Sequence, residues 1–367
     1  MLNNGIPKLK TELTVKKIGQ GIVVCGLFFL SGCAVWKPIS FHEPVLKELP
    51  EQYRNYYSYP ESSGEGTVVS QQKIKHYTVR RVEIPLSLPA ELTPKDLEKF
   101  RAETEELAKT DQKTANDRKL RYLNRIDLYV PNDLKPGEKR PVILISPILG
   151  GNMVVDHFAV YYAGRGYIAA LVHRKKLFWE DDDDNINQVE NYMRTSVIRL
   201  RQAIDWLETQ PEVDNRRMGA FGVSYGAILH AVLAAVEPRI RYHVLAMPAG
   251  PIPEVIMHCP DPMITKLLKK VHEKYGWSDE KIFEDLKKSI LTDPILLAPY
   301  IQKQKITYYT AIFDRVVGAS RSLKLWKAMG KPSLKLMPFG HYGGVLVFPY
   351  LEAQSFSAFK KNLRLRS

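Results

Sequence analysis

Cysteine is scarce in this chain, with three residues in 367 at Cys25, Cys33 and Cys259. Cys25 lies inside an apolar N-terminal run and Cys33 just behind it, so Cys259 is alone in the body of the chain. That excludes an internal disulfide there and a zinc site built on cysteine clusters, and Cys259 reads as a small buried hydrophobe. A glycine-rich phosphate loop of the GxxxxGK[ST] type is also lacking, and with it the usual phosphate cradle. There is no internal repeat. No uninterrupted apolar run approaches the ~20 residues that a comfortable spanning helix needs. What remains is ordinary for a folded domain: 45% hydrophobic and 25% charged residues argue against extensive disorder.

The formal charge is +13, of which Lys8, Lys10, Lys16 and Lys17 against Glu12 account for +3 within residues 1–32. The remaining positive charge is scattered and accompanied by no nucleic-acid motif, so nucleic acid is not an expected partner and an anionic membrane surface is. Asp181, Asp182, Asp183 and Asp184 suggest a metal cluster at first sight. Four consecutive carboxylates cannot converge on one ion, and they are read as a solvated loop. Neither a metal nor a cofactor is expected.

The N-terminus carries an address. Four lysines precede an apolar run over residues 18–30, the layout of the charged and hydrophobic regions of a secretory signal. Leu30-Ser31-Gly32-Cys33 follows. This resembles the bacterial lipobox, in which small residues admit the peptidase and the thiol takes a diacylglycerol. The resemblance implies that residues 1–32 form a lipoprotein signal peptide and that Cys33 is the lipidation site. It also implies anchoring to the cell envelope, and Ala34 directs the protein to the outer membrane in a host that has one. The competing reading is an uncleaved anchor with an incidental cysteine. Residues 33–75 follow, rich in Pro, Tyr, Ser and Glu without periodicity, and are read as a tether. Tyr53, Tyr56, Tyr57 and Tyr59 within it are left open between solvent and packing on the domain.

From residue 76 onward the pattern alternates between strands and helices. Strands are predicted over residues 76–88, 123–130, 142–145, 167–173, 218–223, 242–247, 306–312 and 334–337. Helices are predicted over 93–110, 154–165, 187–209, 226–236 and 320–329, and another from about residue 349. Unbroken aliphatic runs such as Val142-Ile143-Leu144-Ile145 suit strands buried on both faces of a mostly parallel sheet with helices on either side. Residues 250–300 break the rhythm with two helical patterns, 263–275 and 279–291. They are read as a helical cap over the sheet edge where such folds bind ligands.

The chemistry is concentrated in Gly222-Val223-Ser224-Tyr225-Gly226, which follows a strand and opens a helix. Small residues on either side of a serine allow a sharp strand-to-helix turn that pushes its hydroxyl out of the sheet. Here the chain resembles the α/β-hydrolase family, and the resemblance covers roughly residues 76–360. It implies an α/β-hydrolase fold and a catalytic triad in chain order Ser224, Asp314, His341. Asp314 leaves the strand at 306–312, and His341 follows Gly340 after the last strand. His341 would be the base for Ser224, with Asp314 orienting its ring. The backbone amides of Tyr225 and Ile148 are the expected oxyanion donors, with Leu149 as second choice for the latter. Asp293 competes with Asp314 but lies too early in the pattern. His173 could line the pocket, and His230 reads as core.

The expected function is serine hydrolysis of carboxylic esters, acyl or acetyl, through an acyl-enzyme, on a small-molecule or lipid ester. Peptidase or amidase chemistry is the alternative within the same machinery. A non-catalytic envelope protein of hydrolase fold is the alternative outside it. A basic helical pattern with Lys266, Lys269, Lys270 and Lys274 could face an anionic surface.

Overall fold

Aliphatic residues at alternate positions of one strand go to opposite cores, and this sets the architecture. The computed structural model describes residues 46–60, 65–87, 94–151, 153–174, 186–343 and 348–364. The expected signal segment, Cys33 and the four aspartates at 181–184 lie outside them. The elements run α1 (Glu51–Tyr56), β1 (Thr67–Lys73), β2 (Tyr77–Pro85), α2 (Pro94–Ala108), α3 (Gln112–Lys119), β3 (Leu123–Pro131) and β4 (Arg140–Ser146). They continue with α4 (Met153–Ala163), β5 (Ile168–Val172), α5 (Asn187–Thr209), β6 (Val213–Val223), α6 (Tyr225–Val236) and β7 (Ile240–Ala246). The last are α7 (Ile252–His258), α8 (Pro262–Tyr275), α9 (Asp279–Ser289), α10 (Pro294–Leu297), β8 (Ile306–Ala311), α11 (Ala319–Ala328), β9 (Ser333–Met337) and α12 (Phe348–Asn362).

The sheet order is β1-β2-β3-β5-β4-β6-β7-β8-β9. The pairs among β1, β2, β3 and β5 are antiparallel, and every pair from β5 through β4 to β9 is parallel. In β4, Val142 and Leu144 join one core with α5 and α6, while Ile143 and Ile145 join the other with α4 and α12. A strand covered on both faces needs no polar alternation, which explains the unbroken aliphatic run. Each such side chain contributes about 1.5–3 kcal/mol of burial. At the edges the pattern relaxes: β1 is exposed throughout, and β9 leaves Leu336 in solvent.

Where the sequence predicts a tether through residue 75, the described part of that segment is folded onto the domain. Tyr57 is fully buried and its hydroxyl donates to Thr292 Oγ1 at 3.1 Å. Tyr56 donates to Glu190 at 2.6 Å and Tyr59 to Asp205 at 2.7 Å. These are single tyrosine contacts over long sequence separations, so they leave no periodic face in the local sequence. The segment expected as a cap forms α7 to α10, and α7, α8 and α9 share an apolar cluster with Met193 of α5 and Ile228 of α6. Local chemistry fixes its helices. Asp261 caps α8 by accepting the Met263 amide at 2.9 Å, Pro262 starts it, and Gly276 ends it at φ 63°.

His230 on α6 and His243 on β7 are buried, and neither nitrogen of His230 nor Nδ1 of His243 has a hydrogen-bond partner among the described residues. Burial pushes His230 down to about 3 and His243 well below its ordinary value, so both rings are neutral in the fold. The unfolded chain takes up these protons below about pH 6.5 and the native state does not. Stability is therefore fully present above that pH and is lost as pH falls toward the folded value. Urea midpoints for wild type and His230→Leu should diverge in the variant's favour between pH 6.5 and 5, by up to ~1.4 kcal/mol per pH unit. A constant difference across that window would show that His230 protonates in place.

Candidate active site

β6 ends at Val223 and α6 begins at Tyr225, so the whole reversal falls on Ser224, at φ 53° and ψ −121°. A non-glycine residue held at positive φ in this way costs about 1–3 kcal/mol and persists only where its surroundings fix it. Here the Ser224 amide donates to Ala246 O at 2.8 Å, and the Ser224 carbonyl accepts from Ile228 at 3.0 Å. The flanking glycines are there for space. A Cβ on Gly222 would lie 2.5 Å from the Gly226 carbonyl, and one on Gly226 would lie 2.7 Å from Ser146 O. The second close approach also brings the loop after β4 against the first turn of α6.

Asp314 follows the end of β8 in a tight turn, its Oδ1 accepting the amides of Val316 at 2.9 Å and Val317 at 3.1 Å. Its other oxygen lies 2.8 Å from Nδ1 of His341. His341 leaves β9 through Gly340, and the two loops are laced together by the Phe313 amide on Phe339 O at 3.0 Å. His341 Nε2 lies 2.9 Å from Ser224 Oγ. An ionised carboxylate only accepts, so Nδ1 carries the proton and Nε2 is left as the acceptor for the serine hydroxyl. Both the Asp314 and the His341 side chains are largely shielded from water.

Other candidates fall elsewhere. Asp293 caps α10 through the Ile295 amide and also accepts from Ile252 at 2.7 Å, and burial pushes its carboxyl up to about 6. His173 pairs with Asp127 at 2.8 Å, a carboxylate that also takes both ends of the Arg81 guanidinium. His230 is in the core. Cys259 borders the cavity at Ser224, and burial raises its thiol above the ordinary range.

That cavity has a volume of about 250 Å³, and Ile148, Leu149, Gly150 and Tyr225 share it with Ser224 and His341. One residue with no sequence signal organises its wall. Arg174, just after β5, is buried, and its guanidinium donates to Ile148 O at 2.9 Å and to Leu149 O. Its Nη1 donates to the Tyr192 hydroxyl, and it lies 5.9 Å from the ring centres of both Tyr192 and Tyr225. Arg174 does not itself line the cavity.

No family model and no curated protein sequence matches this chain. Among solved structures it is similar to the acetyl xylan esterase from Paenibacillus sp. R4, with 14% identity, 85% of this chain and 92% of that one covered, and a TM-score of 0.60. It is similar also to acetyl xylan esterase 1 from Thermoanaerobacterium sp. JW/SL YS485, with 15% identity, 85% and 96% coverage and a TM-score of 0.58. A cold-adapted esterase from an Arctic intertidal metagenomic library aligns at 14% identity over 81% of this chain and 98% of that one, with a TM-score of 0.50. At such identities the likeness is one of fold: this chain has the α/β-hydrolase fold.

Proposed function

We propose that this protein is a serine hydrolase that cleaves carboxylic esters through an acyl-enzyme. The observation that carries the reading is the hydrogen-bonded chain Ser224–His341–Asp314 at a strained strand-to-helix turn. His341 Nε2 takes the hydroxyl proton as Ser224 Oγ bonds to the ester carbonyl carbon. The tetrahedral oxyanion meets the Tyr225 amide at the start of α6, and a second amide from Ile148 or Leu149. When the carbonyl re-forms, the alkoxy bond breaks and the alcohol leaves with the proton from His341. Water then attacks the acyl-enzyme with His341 again as base, releasing the acid and restoring Ser224.

The test is labelling with a fluorophosphonate, which phosphonylates only an activated serine. One label per chain is expected, mapping by peptide analysis to Ser224. A folded sample that stays unlabelled would support the binding-protein reading instead.

The same reading anchors the enzyme to a membrane by a lipid on Cys33, on the strength of Leu30-Ser31-Gly32-Cys33. Radiolabelled palmitate fed to expressing bacteria should enter the wild-type chain and not Cys33→Ser. Equal incorporation in both would remove the anchor at that residue.

A further inference from the structure

We propose that the substrates are esters of medium-chain, unbranched fatty acids, with the acyl chain inserted beneath the helical cap. This rests on the ester-hydrolase reading above. Beyond Ser224 the cavity runs among Met193, Ile228, Ile252, Ile256 and Leu267. All five are buried and belong to the one apolar cluster that α7, α8 and α9 share with α5 and α6. The lining also includes His341 and Tyr342, and Tyr342 is 67% exposed, so the cavity has a buried aliphatic part and a part open to solvent.

The two parts suit the two halves of an ester. The alcohol must leave past the base that protonates it, through the part with His341 and solvent-exposed Tyr342. The acyl group then lies in the buried aliphatic part. An acetyl group would leave most of that space empty. A cavity of about 250 Å³, shared between the acyl chain and the alcohol, has room for several methylenes beyond an acetyl methyl.

The wall also excludes polar acyl groups. Asp261 is the one carboxylate among the described lining residues, and no lysine, arginine, asparagine or glutamine side chain is among them. Asp261 is engaged on both oxygens, by the Met263 amide at 2.9 Å and by the Tyr342 hydroxyl at 3.0 Å. The Tyr192 hydroxyl is taken by Arg174. A hydroxylated or charged acyl group would lose its water here and find few partners in exchange, whereas a hydrocarbon chain gains from every methylene it buries.

The experiment uses the full-length chain and two series of esters. With p-nitrophenol as the fixed alcohol and acids of two to twelve carbons, kcat/KM should rise by up to about fourfold per methylene. The rise should continue for several methylenes past acetate and then stop or reverse within the series. With acetate as the fixed acid and alcohols of graded length, kcat/KM should stay within about threefold. Ile256→Trp, which fills the cavity, should lower the octanoate-to-acetate ratio at least tenfold, and Leu267→Phe serves if that variant fails to fold.

A flat or acetate-preferring acyl series from a wild-type chain that labels with fluorophosphonate would overturn this substrate assignment and leave the hydrolase reading standing. A rise confined to the alcohol series would overturn the placement of the acyl chain. A chain that neither labels nor cleaves any ester would overturn the hydrolase reading itself.

Discussion

Ser224→Ala should lower kcat on a p-nitrophenyl ester by about 10⁴- to 10⁶-fold, leaving only what the oxyanion donors and binding contribute over water. The size of the loss follows from the geometry. The proposed route needs the serine hydroxyl, 2.9 Å from His341 Nε2, to form the acyl-enzyme, and without it the later proton transfers by His341 have no intermediate to serve. The fold should survive, because Ala meets the same backbone strain at φ 53° as Ser does and the turn's two backbone hydrogen bonds remain. Ser224→Gly separates the two effects. Glycine adopts positive φ without the strain of about 1–3 kcal/mol, although it adds ~0.5–1 kcal/mol of chain entropy in the unfolded state. It should be as inactive as Ala yet unfold at a higher urea midpoint. An active Ser224→Ala enzyme would remove Ser224 as nucleophile, and equal midpoints for Ala and Gly would mean that the strain is no larger than glycine's entropy cost of ~0.5–1 kcal/mol.

The sequence discloses elements where burial is two-sided or periodic. β4 carries a continuous aliphatic run, β8 a wholly buried stretch rich in β-branched and aromatic residues, and the 23-residue α5 a clear amphipathic face, and all three fall within a residue or two of the prediction. The turn at Ser224 is legible because two close backbone approaches demand glycine at fixed spacing around it. Asp314 and His341 are legible because each leaves the end of a recognisable strand. Where an element is held by other means the signal fails. α3 buries only Ala115 and is capped by Asp111, so it has no apolar stripe to detect. β1 is an exposed edge, and α1 is tied down by tyrosines whose partners lie more than 130 residues away. Arg174 is invisible for another reason. Its main partners are backbone carbonyls, which any residue supplies, so no pairing of side-chain types announces it.

Arg174→Met should lower kcat by about 10²-fold, comparable to losing one oxyanion donor, with KM within about threefold of wild type. The argument is one of peptide planes. In a trans peptide the carbonyl and the following amide point in opposite directions. The guanidinium holds the carbonyls of Ile148 and Leu149, so it turns the amides of Leu149 and Gly150 away from itself, and both residues line the cavity that Arg174 does not. A Cβ on Gly226 would lie 3.1 Å from Pro147 O, so that carbonyl faces the first turn of α6 and the Ile148 amide points away from it. Together these planes favour Leu149 over Ile148 as the second donor beside Tyr225. Methionine keeps the bulk of the arginine stem but releases the Leu149 carbonyl and leaves the Ile148 carbonyl with only the Gly151 amide, at 3.1 Å. A trifluoromethyl ketone, which forms a tetrahedral oxyanion on Ser224, should lose affinity by the same factor as kcat, while a non-reacting ester analogue binds as before. The pH profile should be unchanged, because His341 is not involved. Arg174→Lys should fall between wild type and Met, since one ammonium cannot match the fork that grips two carbonyls. If kcat falls while the trifluoromethyl ketone binds undiminished, Arg174 holds the fold together and does not position the oxyanion amides.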